Sequence, residues 1–392
     1  MELFLFIHFD LIYTIIYLQE IIPVNNKTLS MKLISFAVTI SLFFCFSAYS
    51  QNNKKLSQPE KDFETFWTTF NDNYAFFKLK EVNWEESYKK YRPLINSKTK
   101  EKELITVFEQ MVSPLKDGHI TISKGEKILY KVKKPSAFRD EFNGTESELW
   151  RTSFKTLENN SFAKVTGIGP VFKETYLYNV SESSTIGYIK ISRCFGNMES
   201  LFDDKKEKED IQLMLTLFDS ILNSFSEKKG IIIDMRSNGG GHGGDVLANR
   251  FALEKKATHY KTIRQKGNHE NFTAPEPIYI VPNNGVRYLN PIVILTNDRT
   301  ASSAEDFTIS LYQQPNVTTI GTNTSGMLSD MFGADLSNQI SFTLSNQRYY
   351  STDNKLLEDV GVPVKIEINN TKHDIENKSD PIILKAIEVF KK

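Results

Sequence analysis

The stretch between Pro291 and Leu311 narrows the fold more than any other. Pro291 to Thr296 is an apolar run that reads as a buried strand, and Phe307, Ile309 and Leu311 are spaced as the apolar face of a helix. Between them stands Thr300-Ala301-Ser302-Ser303-Ala304-Glu305-Asp306. Strands alternating with helices build an α/β fold. The junction also sets a hydroxyl beside unpaired backbone N–H groups and the positive end of a helix dipole. A nucleophile and its oxyanion are stabilised in such a place. The same residues also suit a plain N-cap, with Glu305 closing a capping box.

A second strand-to-loop junction follows the buried run Ile231 to Met235. It reads Arg236-Ser237-Asn238-Gly239-Gly240-Gly241. Glycines there let backbone N–H groups turn toward an anion. The spacing is neither a dinucleotide fingerprint nor a phosphate loop closed by Lys-Ser/Thr. An oxyanion donor loop fits better, and a turn without a ligand is the alternative. Further strands are predicted at 186–191, 317–320, 331–332, 340–344 and 362–368, with helices over 207–227 and 246–254 and a last one opening at Asp380-Pro381.

Upstream the pattern is helical. Phe63, Phe66, Trp67, Phe70, Tyr74 and Phe77 recur at three- and four-residue steps, and 103–111 is a second amphipathic stretch. The turn Lys116-Asp117-Gly118 then delivers His119 ahead of an alternating segment. Residues 124–183 carry Pro135, Gly144, Gly167, Gly169 and Pro170 between short β-like pieces, which reads as a small β-rich insertion.

Composition excludes some classes. Lys+Arg and Asp+Glu are both 48, so no basic field invites nucleic acid and no acidic excess implies disorder. Met31-Lys32, the apolar run Leu33 to Phe46 and then Ala48-Tyr49-Ser50 have the form of a secretory signal, with a mature start near Gln51. Residues before Met31 read as an upstream extension. Cys45 follows Phe44, a poor setting for lipid attachment. Cys194 would then be the one thiol of the exported chain, so stability must come from the core.

"GIIIDMRSNGGG", "ILTNDRTASSAEDF" and "IGTNTSGM", in that order, resemble the tail-specific (C-terminal processing) serine protease family. "FWTTFNDNYAFF", "NWEESY", "LKDGHITI" and "YIKISRCF" are similar to its tricorn-like branch. The resemblance runs from about Phe63 to Ile368. It implies a crotonase/ClpP-like α/β core behind a helical N-terminal subdomain, and a nucleophile at Ser302. It implies an oxyanion site from the amides of Ser303 and Gly240, with Gly239 or Gly241 as alternative registers. The bacterial processing branch carries its lysine base where this chain has Met327, and a thioether cannot take the serine proton. The tricorn-like branch uses a histidine, matched by His119, and a late glutamate, matched by Glu358. That branch has a serine before its histidine, whereas this chain has Gly118. Glu358 could reach His119 directly or through water, or Asp117 could replace it.

The expected organisation is 1–50 extension and signal, 51–119 helical subdomain, 120–183 β-rich insertion without a clear PDZ motif, and 184–392 protease core. The expected activity is that of an exported serine peptidase acting on polypeptides, with no metal and no cofactor. An inactive peptide- or lipid-binding protein on the same scaffold is the alternative reading.

Overall fold

The computed structural model describes residues 55–201 and 203–391, so the signal reading, Cys45 and the Gln51 boundary lie outside the described residues. From Gln58 onward the chain clusters as one unit. It opens with helices α1 (Gln58–Asn73), α2 (Trp84–Tyr91) and α3 (Glu101–Val112). The aromatic stripe of α1 is buried: Phe66 stacks on Phe108 with centroids 3.9 Å apart and lies 4.7 Å from Phe342. Truncating such a ring to Ala costs about 3–5 kcal/mol. Trp67 and Trp84 tie α1 to α2 by donating each indole N–H to the other's carbonyl, at 3.1 and 3.0 Å.

The segment after His119 is more mixed than its punctuation suggested. It contains β1 (Thr121–Lys124), β2 (Lys127–Lys131), helices α4 (Ala137–Glu141) and α5 (Glu146–Asn159), then β3 (Thr166–Phe172) and β4 (Thr175–Glu182). The α5 stripe is Leu149, Ser153, Thr156 and Leu157, half of it polar, so apolar periodicity alone does not reveal it. Nor does the segment stand apart as an insertion, because its strands join two different sheets.

The core continues with β5 (Ile186–Ile191), α6 (Asp204–Ser224), β6 (Gly230–Asp234), α7 (Gly244–Ala248), β7 (Lys256–Ile263), β8 (Glu276–Ile280), β9 (Ile292–Thr296) and α8 (Ser303–Tyr312). Then come β10 (Val317–Gly321), β11 (Met331–Asp335), β12 (Ile340–Ser345), β13 (Gln347–Ser351), β14 (Ile366–Glu367), α9 (Lys372–Glu376) and α10 (Pro381–Val389). A seven-stranded sheet runs β14-β10-β9-β6-β5-β4-β3. Its β5, β6, β9, β10 and β14 are mutually parallel, and β4 and β3 close the edge antiparallel. Strands β5, β6 and β9 are buried throughout, as a parallel sheet covered on both faces requires. Met214 and Phe218 of α6 with Phe307 of α8 cover one face, and Ile383 and Ile387 of α10 the other.

Two smaller sheets complete the molecule. The order β11-β12-β1-β2 gives the helical N-terminal region its floor, with Ile122, Phe342 and Leu344 in one core with the α1 aromatics. Residue 119 is therefore no structural boundary. The third sheet, β13-β7-β8, lies in a stretch where charged and hydroxyl residues interrupt the apolar pattern.

Candidate active site

The glycine loop and the serine junction leave the carboxyl ends of neighbouring parallel strands, β6 and β9, where Asp234 is registered with Leu295. In open α/β sheets that edge is where ligands bind. A buried ion cluster pins the root of the glycine loop. The Arg236 guanidinium donates to both carboxylate oxygens of Asp234, at 3.0 and 2.7 Å, to Asp380 at 2.8 Å and to Asn370 at 2.9 Å. Burial would raise the Asp234 carboxyl, but Arg236 and Lys190 override it and hold it down at about 2. Asp380 also caps α10, so the loop, the sheet and the last helix share one anchor.

Ser302 stands between β9 and α8 with φ 55° and ψ −128°. A non-glycine residue at positive φ is strained, and such strain concentrates at functional sites. The Ser302 N–H donates to Met327 O (3.0 Å) and to Glu305 Oε2 (3.1 Å), while the Glu305 N–H donates to the Ser302 carbonyl (2.7 Å). Ser302 and Glu305 have the form of a capping box, but no side-chain hydrogen bond from the Ser302 hydroxyl to the helix is recorded among the described residues. Its neighbour differs: Ser303 is buried, and its Oγ accepts the Gly244 N–H at 2.8 Å. Of the adjacent serines, Ser302 lines the cleft with His119, Gly239, Gly240 and Gly241, a space of about 750 Å³.

Glu305 does more than close a capping box. Its buried carboxylate accepts from Thr324 Oγ1 (2.5 Å), Gly326 N–H (2.8 Å), Met327 N–H (2.7 Å) and Ser302 N–H (3.1 Å). Burial raises this carboxyl above its ordinary value, and the four donors oppose the rise. The "GTNTSGM" loop is thereby fastened under the serine. That loop interlocks in turn with the segment after Glu358: a Cβ on Gly326 would lie 2.6–2.8 Å from the amides of Asp359, Val360 and Gly361. No side chain fits there.

The backbone amides of the glycine loop differ in their partners. The Gly240 N–H donates to Asn238 Oδ1 at 2.9 Å and is not idle in this structure. Among the described residues no hydrogen bond is recorded from the amides of Gly239, Gly241 or Ser303. Gly240 instead supplies close approach: with φ 92°, its Cβ would fall 2.7 Å from both Ala301 O and Ser302 Cβ.

His119 is brought to the cleft by β1 pairing with β12. Thr343 Oγ1 donates to its carbonyl at 2.6 Å, its own N–H donates to Asp117 Oδ1 at 2.9 Å, and Ser345 Oγ lies 3.5 Å from its Nδ1. Nε2 has no recorded hydrogen bond and is not among the buried unpaired atoms, which leaves it open to the cleft. Burial lowers the His119 pKa below 6.5, with Asp117 opposing. No hydrogen bond joins His119 to Ser302 among the described residues.

Glu358 takes a different place from the simple triad expectation. It makes no hydrogen bond to His119 and does not line the cleft. It is buried near Tyr74 and Asp117, and its carboxyl is pushed well up by burial and then by Asp117. Sequence reading missed Ser345, whose hydroxyl meets Nδ1 from a strand 226 residues away. It also missed why Gly118 and Met327 occur together. A Cβ on Gly118 would meet Met327 Cε at 2.7 Å and Sδ at 3.0 Å, so the methionine occupies the space a serine at 118 would need.

The family model for peptidase family S41 matches residues 185–368, and that for the tricorn protease C1 domain matches residues 57–113. The chain belongs to peptidase family S41. It is thus a serine-type peptidase with polypeptide substrates. Among solved structures, a candidate peptidase from Parabacteroides merdae ATCC 43184 matches with TM-score 0.67 and 24% identity, over 86% of this chain and 98% of that one. Mature CPAF complexed with lactacystin matches with TM-score 0.56 and 14% identity, over 85% and 97%. The tricorn protease matches with TM-score 0.51 and 17% identity, over 86% of this chain and 37% of that one. These likenesses show the S41 fold. A search of curated proteins finds no match.

Proposed function

We propose that this S41 peptidase hydrolyses exported or periplasmic polypeptides, as an endopeptidase or carboxyl-terminal processing peptidase, with Ser302 as nucleophile and His119 as general base. The strained Ser302 junction carries the reading: its hydroxyl, and not that of Ser303, faces the cleft that His119 Nε2 also enters. Ser302 Oγ attacks the peptide carbonyl carbon as its proton passes to Nε2. The tetrahedral oxyanion is met by the Ser303 N–H at the start of α8, with Gly239 and Gly241 as the available donors of the glycine loop. Collapse breaks the C–N bond, His119 returns the proton to the leaving amine, and water repeats the sequence on the acyl-enzyme. Ser345 and Asp117 position His119, and Glu358 stands behind Asp117 as the far acidic member of the group.

Wild-type protein should cleave an unstructured polypeptide, Ser302→Ala should not, and Ser303→Ala should retain most of the rate. Persisting hydrolysis in Ser302→Ala would remove the serine from this role. Export is supported by the signal-like sequence, and among the described residues no helix is long and apolar enough to cross a membrane. N-terminal sequencing of exported material should begin near Gln51; retention of Met31 would contradict it.

A further inference from the structure

Ser302 borders a second recess besides the cleft. This one, about 310 Å³, opens on the other side of Gly241. Its walls include side chains that the mechanism leaves unused: Asp245 on α7, Asp306 on α8, His259 on β7 and Tyr349 on β13, with Asp330 at the entrance to β11. Three acidic side chains line this space, together with Lys261 and the imidazoles of His242 and His259. The net charge of the walls is negative.

Two atoms indicate that the recess awaits a partner. His259 is fully buried and its Nε2 makes no hydrogen bond. Asp306 Oδ1 is likewise buried and unpaired, and the two stand 3.9 Å apart, too far to satisfy each other. The other imidazole nitrogen is engaged, with Nδ1 2.9 Å from Thr258 Oγ1, so the unpaired edge is turned to Asp306, which lines the recess with it. A buried polar atom without a partner is costly, and native structures seldom retain one without a reason. Among the described residues no group of His, Cys, Asp and Glu is spaced to hold a metal ion. The fitting occupant is an organic cation.

We infer that this recess is a substrate subsite for a cationic side chain, lysine or arginine, flanking the bond that Ser302 attacks. The inference rests on the reading of Ser302 as nucleophile and names the substrate class of that site: polypeptides cut beside a basic residue. A guanidinium presents a planar fork of N–H donors that suits carboxylate oxygens and supplies no acceptor. Burial and the neighbouring Asp245 and Asp330 raise the empty Asp306 carboxyl well above its ordinary range, and an arriving cation would relieve that repulsion.

The test reads binding separately from cleavage. Two fluorescein-labelled twelve-residue peptides, identical except for a central arginine or its neutral isostere citrulline, are titrated against the Ser302→Ala protein by anisotropy. The arginine peptide should bind at least about tenfold more tightly, as a desolvated charge pair warrants. Asp306→Asn should erase the difference. So should the double variant Asp245→Asn/Asp330→Asn, whose exposed positions leave the fold undisturbed. With the Ser302 enzyme, mapped cuts should fall next to the arginine. Equal affinity for the two peptides, or a preference that survives both variants, would overturn the subsite even where Ser302 proves to be the nucleophile. A preference without cleavage would keep the subsite and count against the nucleophile.

Discussion

Replacing Glu305 by Gln probes how Ser302, the proposed nucleophile, is held. The side chain keeps its size but loses one acceptor oxygen. In the native site Oε1 receives Thr324 Oγ1 and Gly326 N–H, and Oε2 receives Met327 N–H and Ser302 N–H. With the new amide nitrogen on the Oε2 side, two backbone donors face a donor. At about 1–3 kcal/mol for each unmet buried group, that arrangement costs roughly 2–6 kcal/mol. Flipped to the Oε1 side, the Gly326 amide is stranded while the Thr324 hydroxyl can rotate, which costs about 1–3 kcal/mol. The flipped form prevails, so Glu305→Gln should lower unfolding free energy in urea by about 1–3 kcal/mol. The loop carrying Met327 O, which holds the Ser302 amide, then shifts. A displacement near 1 Å at a reacting group costs about a hundredfold, so kcat/KM should fall by about 10- to 100-fold. Wild-type stability together with wild-type kcat/KM would refute this view of Glu305.

Other outcomes follow from the same geometry. His119→Ala should cost about a thousandfold or more in kcat/KM. In the wild type, burial keeps the imidazole neutral to lower pH, so activity should fall on acidification with a midpoint below the ordinary value of about 6.5; a midpoint well above it would contradict the buried base. Gly240→Ala should abolish hydrolysis, because its Cβ would meet Ala301 O and Ser302 Cβ at 2.7 Å on a backbone with φ 92°, and near-normal kcat would disprove the close approach. Gly118→Ser alone should push the Met327 thioether aside and lose under about 1 kcal/mol, because only the flexible end of that side chain is met. Adding Met327→Ala should recover part of that loss, and a double-mutant cycle without coupling would dismiss the linked substitution.

Much of the fold was legible because its signals are local. The unbroken apolar runs of β6 and β9, the aromatic stripe of α1 and the Asp380-Pro381 opening of α10 are each written within one turn or strand. Ser302 and His119, which line one cleft, were singled out by motifs of the same length. What stayed hidden depends on distant pairing. Ser345 meets His119 only because β12 crosses to β1. The late strand expected over 362–368 shrinks to Ile366–Glu367 because Gly361 and Val362 are drawn into contact with Thr324. The Gly240 amide looked available from the glycine spacing, but the side chain two residues earlier takes it, an Asx turn that only geometry reveals.

The most direct measurement is covalent labelling by a fluorophosphonate probe, with the modified peptide identified by mass spectrometry. Such a probe reports a serine made nucleophilic by its surroundings, without requiring knowledge of the substrate. The expected result is a single adduct on Ser302 in the wild type, a much slower reaction in His119→Ala, and none in Ser302→Ala. An adduct on Ser303, or no adduct on a folded wild-type protein, would contradict the assignment of Ser302 and His119 and favour a non-catalytic binding role for the same scaffold.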